Sequence, residues 1–152
     1  MTQHIVLGVT GSIAAYKAVE IVSSLVKHGH CVTVIMTETA QRFIHPVTFR
    51  SISQNQVITD LFVDNESYNP NHVSLADRAD IIVVAPATAN FIGKVASGIA
   101  DDALTCTVMA ARSKVIIAPA MNDSMYSNPI VQENIKKLAG LGYRFIDPEE
   151  GR

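Results

Sequence analysis

The chain has 152 residues, of which 48% are apolar and 17% charged, so it can fill one hydrophobic core and we expect a single domain. Its 12 basic and 14 acidic residues give a net charge of -2 without a polybasic run, which argues against nucleic-acid and membrane-surface partners. No apolar run approaches the ~20 residues that span a bilayer, and the amino terminus lacks the basic flank of a signal peptide, so we expect a cytoplasmic protein.

The amino-terminal part of the chain predicts a strand, a helix and a second strand. His4–Val9 is a continuous apolar run that ends near Gly11, and Ser12 opens a helical pattern over residues 13–28. Cys31–Met36 is a second run of β-forming residues. This order is typical of two parallel strands joined by a crossover helix.

The remaining elements continue the alternation of helices and strands. Two near-continuous apolar runs, at residues 81–85 and 115–118, each precede a proline and are typical of central parallel strands covered on both faces. The other predictions are short helices over 37–43 and 47–53, an exposed polar loop over 64–71, helices over 89–96, 101–111 and 129–141, and a last strand over 143–146. We therefore predict an α/β fold with a single doubly wound open parallel sheet, flavodoxin-like or Rossmann-like, and a site at its carboxyl edge.

The end of the first strand is a candidate phosphate site. Gly11 permits a tight turn, and the free amides of the following helix, together with the Ser12 hydroxyl, suit an anion. An ordinary glycine turn with Ser12 as the helix N-cap fits the same residues. The spacing Gly8-x-x-Gly11-x-x-Ala14 lacks the paired glycines of the dinucleotide fingerprint, although Glu38 beyond the second strand keeps NAD as an alternative.

Two later strand ends carry small neutral hydrogen-bonding side chains. Thr88 and Asn90 follow the third predicted strand, and Asn122 follows the fourth. Such groups suit the edge of an uncharged heterocycle and a carboxylate that is held without a metal. Each of them also fits the simpler role of a helix cap.

The two cysteines and the low aromatic content carry weaker signals. Cys31 and Cys106 lie far apart in apolar contexts, so we expect two buried reduced thiols rather than a disulfide or a metal cluster. Aromatic residues make up 6% of the chain, and its mean hydropathy is +0.23. This combination indicates that some apolar surface is buried between subunits.

Four segments together resemble the homo-oligomeric flavin-containing cysteine decarboxylases, over essentially the whole chain. The segments are Gly11-Ser12-Ile13-Ala14, Asn71-His72, Pro86-Ala87-Thr88-Ala89-Asn90 and Pro119-Ala120-Met121-Asn122-Asp123-Ser124-Met125-Tyr126. The last segment, with the histidine before it, is most similar to the phosphopantothenoylcysteine decarboxylases. Many members have tryptophan where this chain has Tyr126, which we interpret as a tolerated aromatic exchange.

The resemblance implies a flavodoxin-like flavoprotein domain over residues 1–152 that binds FMN and assembles as a homotrimer or as a higher assembly of trimers. Its substrate would be phosphopantothenoylcysteine, decarboxylated to phosphopantetheine in coenzyme A biosynthesis. His72 would be the catalytic acid/base residue, and Asn122 and Met125 would bind the substrate, Asn122 through the carboxylate. The cofactor-binding residues would be Gly11, Ser12, Ile13, Thr37, Thr39, Thr88, Ala89, Asn90, Phe91 and Ala120, with no metal.

The resemblance also implies a chemistry and leaves alternatives. FMN would oxidise the carbon that bears sulfur, so that carbon dioxide can leave. The final reduction in these decarboxylases uses a cysteine of a substrate clamp beyond the last strand. Neither Cys31 nor Cys106 matches that position, so we expect the clamp to be missing from this sequence and the final reduction to be impaired. Alternatives are a peptidyl-cysteine decarboxylase of lantibiotic type and a non-catalytic flavin-binding regulatory subunit.

Overall fold

The computed structural model describes residues 1–61 and 71–148, and for residues 71–73 it describes the backbone alone. The strands are β1 (His4–Val9), β2 (Cys31–Met36), β3 (Ile81–Ala87), β4 (Lys114–Pro119) and β5 (Arg144–Phe145). The α-helices are α1 (Ala15–Lys27), α2 (Pro46–Ser53), α3 (Asn71–Arg78), α4 (Ala89–Ala96), α5 (Ala103–Ala110), α6 (Asp123–Ser127) and α7 (Pro129–Gly140). A short 3-10 helix covers Thr39–Arg42.

The five strands form one parallel sheet in the order β2-β1-β3-β4-β5. β1 pairs with β2 and with β3, and β4 pairs with β3 and with β5, all in parallel. This is the strand order of a flavodoxin-like doubly wound sheet, so the predicted fold class is confirmed. The two apolar runs that predicted central strands lie in β3 and β4.

Alternation along the strands divides the core between the two faces of the sheet. Leu7 and Val9 of β1 point to the face covered by α1 and α2, here called the α1 face. Val6 points to the opposite face, which is covered by α3, α4, α5 and α7 and is here called the α5 face. Gly8 lets α5 approach the sheet closely, because a Cβ at this position would overlap the side chain of Leu104.

Several element boundaries differ from the predictions for local reasons. α1 begins at Ala15 rather than at residue 13, because residues 11–14 form a turn in which the Ser12 hydroxyl accepts a hydrogen bond from the Ala14 amide. The predicted loop over 64–71 is wrong at Asn71, which begins α3, and the rest of that loop lies outside the described residues. α5 begins after its cap, Asp102, and is shorter than the predicted 101–111. α6 was not predicted.

The prediction that both cysteines are buried is wrong. Cys31 is exposed at the amino-terminal end of β2, which is an edge strand, and its sulfur accepts a hydrogen bond from Nδ2 of Asn55 at 3.6 Å. Cys106 is partly exposed on α5. Within residues 1–61 and 71–148, no helix has both the length and the apolar character needed to span a bilayer.

Candidate active site

A buried threonine joins the carboxyl ends of β1 and β3. The hydroxyl of Thr10 donates to the carbonyl of Pro86 at 2.7 Å and accepts from the amide of Thr88 at 3.0 Å. Thr10 is 2% exposed, so these bonds form away from solvent. The pairing of β3 with β4 shifts register between Val84 and Ala87, and the Thr10 hydroxyl satisfies backbone groups beside that irregularity. Thr10 was not among the site residues predicted from the sequence.

The turn after β1 presents backbone amides toward the same edge. Ser12 donates its amide to the Thr10 carbonyl, and Ala14 donates to the Ser12 hydroxyl. The amides of Gly11 and Ile13 donate to no other residue in the described part of the chain. Neighbouring amides of this kind at the start of a helix form an anion-binding turn. Ser12 is not the N-cap of α1, since that position is Ala14.

The segment after β2 packs directly against this turn. The hydroxyl of Thr37 accepts a hydrogen bond from the Ala40 amide at 3.2 Å, which fixes the start of the 3-10 helix. A Cβ built on Gly11 would overlap the Cβ and Cγ2 atoms of Thr39. Only glycine therefore lets the β1 and β2 loops come this close.

A cavity of about 730 Å³ opens between these loops at the carboxyl edge of the sheet. Most of its lining is polar, and six threonines contribute to it: Thr10, Thr37, Thr39, Thr59, Thr88 and Thr105. The size and position fit a nucleotide-sized ligand at the point where the strand order reverses between β1 and β3. The fold and cavity thus define a nucleotide-binding α/β protein of the flavodoxin type.

The charge around the cavity is mainly negative. Its acidic side chains are Glu38, Asp60, Asp101 and Asp102. Lys94 is the only basic residue in the lining that the structure describes, and its Nζ lies 3.1 Å from each carboxylate oxygen of Asp101. A ligand that lies along these carboxylates therefore needs neutral hydrogen-bonding groups there, while the amides of the β1 turn suit its anionic part.

The amino end of α5 forms a wall of the cavity that the sequence analysis missed. The carboxylate of Asp102 accepts from the amide and the hydroxyl of Thr105, both at 2.7 Å, and the Asp102 amide in turn bonds the Thr105 hydroxyl. This reciprocal capping box fixes the first turn of α5. The Asp-x-x-Thr spacing was the signal that could have identified this wall.

A second wall that was not predicted follows α2. Ile58 pairs with Ile35 of β2 in a parallel bridge, and its backbone exchanges hydrogen bonds of 2.9 Å with Val34 and Met36. This pairing brings Thr59 and the two residues after it to the cavity.

The cavity brings together six of the predicted cofactor-binding residues: Gly11, Thr37, Thr39, Thr88, Asn90 and Phe91. It does not include Ser12, Ile13, Ala89 or Ala120 in its lining, and Ile13 is 79% exposed. Thr88 is indeed the N-cap of α4, accepting from the Phe91 amide at 3.2 Å, whereas Asn90 lies inside that helix and is not a cap. The cap role of Thr88 and its place in the cavity are therefore compatible.

The predicted substrate-binding residues lie on a different loop, after β4. Asn122 caps α6, its Oδ1 accepting from the Met125 amide at 2.9 Å, and Met125 is 45% exposed. Neither residue is part of the cavity lining. The Ala120 amide donates to the Ala87 carbonyl at 2.9 Å, which connects this loop to the end of β3.

His72 lies in the first turn of α3, and its side chain is outside the described part of the structure. Its catalytic role therefore stays a prediction. The described residues contain no group of His, Cys, Asp and Glu side chains arranged to hold a metal ion.

Comparisons with known proteins give a consistent assignment. The family model described as Flavoprotein matches residues 1–152. The coenzyme A biosynthesis bifunctional protein CoaBC of Borreliella burgdorferi is 52% identical over 149 residues, covering 98% of this chain and 38% of that protein. The probable phosphopantothenoylcysteine decarboxylase of Streptococcus mutans is 42% identical over 151 residues, covering 98% of this chain and 84% of that protein. This chain thus spans less than two fifths of the length of the Borreliella relative.

A solved structure agrees with the sequence relatives. The FMN-dependent cysteine decarboxylase SpaF matches with a TM-score of 0.91 and 36% identity, covering 98% of this chain and 86% of that chain. The chain belongs to the Flavoprotein family. The resemblance to flavin-containing cysteine decarboxylases drawn from the sequence motifs is confirmed.

Proposed function

We propose that this chain is an FMN-dependent carboxy-lyase that decarboxylates phosphopantothenoylcysteine to phosphopantetheine in coenzyme A biosynthesis. The observation that carries the proposal is the similarity to the Streptococcus mutans decarboxylase, which extends over nearly all of both chains. The CoaBC relative is also more similar in sequence than SpaF is, at 52% against 36% identity. The proposed substrate, phosphopantothenoylcysteine, is phosphorylated and water-soluble, which fits the cytoplasmic location expected from the sequence.

The cavity fits FMN on observations independent of the comparisons. The Gly11 and Ile13 amides are available for the phosphate, and the Thr37 and Thr39 side chains border the turn that presents them. Asn90 and the threonine hydroxyls supply donors and acceptors for the uncharged parts of the cofactor. Ser12, Ile13, Ala89 and Ala120 remain proposed cofactor residues at the margins of the cavity.

FMN would supply the two-electron oxidation that gives the cysteine carboxylate an electron sink. The protein's own residues would orient the substrate and move protons. Nδ2 of Asn122 makes no hydrogen bond with a described residue, while Oδ1 is held by the Met125 amide, so the side chain can donate to a carboxylate. Imidazole side chains in general gain and lose a proton near neutral pH. His72 would therefore exchange a proton with the substrate.

We also propose that the chain acts as a homotrimer or as a higher assembly of trimers. Support comes from large apolar side chains that are exposed in the single chain, including Ile13 (79%), Tyr16 (53%) and Phe43 (49%). Covering them with a second copy would remove apolar surface from water. Sedimentation equilibrium of the purified protein tests the stoichiometry, and a monomer at all concentrations would contradict this part of the proposal.

The test of the function combines a spectrum with turnover. The purified protein should absorb in the visible range, the released chromophore should have the mass of FMN, and phosphopantothenoylcysteine should lose carbon dioxide. His72→Asn should keep the flavin spectrum and lose turnover, whereas His28→Asn, at an exposed histidine beyond α1, should keep both. A protein that takes up no flavin, or that binds flavin but does not decarboxylate the substrate, would contradict the proposal.

A second candidate is a peptidyl-cysteine decarboxylase, favoured by a structural match to the peptidyl-cysteine decarboxylase EpiD, with a TM-score of 0.86 and 25% identity. Both reactions remove the carboxylate of a cysteine unit, so the same cavity suits either. Parallel assays with phosphopantothenoylcysteine and with a peptide that ends in cysteine distinguish them. Product masses also show whether the saturated thiol or the oxidised ene-thiol is released.

A further inference from the structure

Helix α6 contributes no buried residue to the core, although Met121, just before its cap, packs against the core of the α5 face. None of the five residues of α6 is buried. Of the two proposed substrate-binding residues, Asn122 caps this helix and Met125 lies within it. The apolar burial that normally fixes a helix is therefore missing here. Since an isolated helix of this length is unstable in water, neighbouring groups must hold it in place.

The contacts that hold α6 come from the start of α7. Nε2 of Gln132 donates to the carbonyl of Tyr126 at 2.6 Å. The amide of Asn128 donates to the Met125 carbonyl at 3.1 Å, and the Asn128 side chain caps α7 by accepting from the Ile130 amide at 2.8 Å. Among the described residues, Gln132 is the one in another helix whose side chain forms a hydrogen bond with the backbone of α6.

Helix α7 is itself firmly anchored. Leu138 is 2% exposed and packs in the core of the α5 face. Nζ of Lys137 donates to the carbonyl of Ala96 at 2.7 Å, which joins α7 to the end of α4. Gln132 therefore extends from a fixed helix to a helix of which no residue is buried.

We propose that Gln132 is a positioning residue for the substrate site: its hydrogen bond to the Tyr126 carbonyl holds α6, and through α6 the side chains of Asn122 and Met125. The inference rests on the proposed function, because those two residues are proposed to bind the substrate. Among the described residues, the hydrogen bond of the Gln132 side chain goes to the backbone of α6, so losing its donor should weaken substrate binding while leaving the flavin site intact.

The test uses the flavin-loaded protein and substitutions that change the donor but little else. Gln132→Met keeps the length of the side chain and removes the donor, and Gln132→Glu places a carboxylate against the Tyr126 carbonyl. Glu133→Gln is the matched control, since Glu133 is exposed on the same turn and makes no hydrogen bond with a described residue. Gln132→Lys places a donor at the same position, so this variant should not show the defect expected of Gln132→Met.

Loss of one such hydrogen bond should raise KM for phosphopantothenoylcysteine by about three- to tenfold, with kcat much less affected. Flavin content and melting temperature should not change, and the Glu133→Gln control should behave like the unchanged protein. A Gln132→Met protein with unchanged KM, or with a loss of kcat and flavin together, would overturn the inference.

Hydrogen exchange gives a readout that does not need turnover. The amides of residues 121–128 should exchange faster in Gln132→Met than in the unchanged protein or in Glu133→Gln, while α4 and α5 keep their protection. Equal exchange in all three would overturn the inference. If the unchanged protein fails to decarboxylate its substrate, the proposed function fails, and the exchange result still decides whether Gln132 holds α6.

Discussion

At the scale of single residues, the site depends on side chains that replace missing backbone pairing. Thr10 is the clearest example, because its hydroxyl contacts both the Pro86 carbonyl and the Thr88 amide where β3 shifts register. The Pro86 carbonyl also accepts from the Thr10 amide at 3.3 Å, whereas the Thr88 amide has the Thr10 hydroxyl as its acceptor. Burying a backbone donor without a partner costs about 1–3 kcal/mol, so this hydroxyl stabilises the connection of the two strands. The same residue also lines the cavity, which links fold and site directly.

Replacing Gly11 with alanine should damage the cofactor site. The new Cβ would overlap the Thr39 side chain and push the two loops apart, and overpacking of this kind typically costs about 1–3 kcal/mol. We expect Gly11→Ala to bind FMN about tenfold or more weakly, as measured by fluorescence titration. Gly140→Ala is the control, since a Cβ there has nothing within 4 Å. Equal FMN affinity in both variants would contradict the view that Gly11 is needed for the close approach of the two loops.

The two cysteines should differ in reactivity. Burial, and then the carboxylates of Asp102 and Asp101, raise the pKa of the Cys106 thiol, so less of it is thiolate near neutral pH. Cys31 is exposed, and we expect iodoacetamide to label it first when the products are mapped by peptide mass. Asp101→Asn should lower the Cys106 pKa and speed its labelling. Faster labelling of Cys106 in the unchanged protein would argue against this account.

Residue-level reasoning pointed to residues that line the cavity where a motif follows a strand end. Gly11, Thr88 and Asn90 could be chosen because each follows an apolar run and must reach the same edge of the sheet, whereas Thr37 and Thr39 came from the family resemblance. Their roles in cofactor binding stay predictions. Thr10 was not predicted because its hydrogen-bond partner Pro86 lies 76 residues away in the sequence. Thr105 was not predicted because its role depends on the capping box that it forms with Asp102. Spacing along the chain carries no information about the first kind of contact.

At the scale of elements, the strands were easier to predict than the short helices. Continuous apolar runs identified β1 to β4, since central parallel strands are buried on both faces. α3 and α6 gave no comparable pattern. α3 buries Leu75 and Ala76 on one side, but this stripe lies in a polar segment and did not stand out. α6 buries no residue and so produces no apolar stripe at helical spacing.

The capping box of α5 should contribute measurably to stability. Asp102→Ala removes both bonds to Thr105 and leaves its nearly buried hydroxyl without that acceptor, so we expect a loss of about 1–2 kcal/mol in the free energy of unfolding. Asp77→Ala, at an exposed position inside α3, should stay within about 0.5 kcal/mol of the unchanged protein. Urea denaturation measures both. Equal losses would mean that the cap has no special role.

At the scale of the whole molecule, the sheet separates two cores that share no side chain among residues 1–61 and 74–148. Leu7 is fully buried on the α1 face, and Ile92 is fully buried on the α5 face. Substitutions on opposite sides of the sheet should therefore act independently, even though both weaken the same folding unit.

Additivity of two core substitutions tests this separation. Leu7→Ala should cost about 2–5 kcal/mol and Ile92→Val about 0.5–1.5 kcal/mol, and the double variant should lose the sum within about 0.5 kcal/mol. Urea denaturation of the four proteins gives the coupling free energy. A coupling well above that limit would show that the two faces relax together.

The walls of the cavity lie far apart in the sequence, from Thr10 to Thr105. No unfolded or half-folded chain can present them together, so a cofactor that enters here binds only the complete sheet with α5 in place. By mass action such a cofactor adds about 2.7 kcal/mol to the free energy of unfolding when its free concentration is a hundred times Kd. The supply of free cofactor would then set how long the folded protein survives proteolysis.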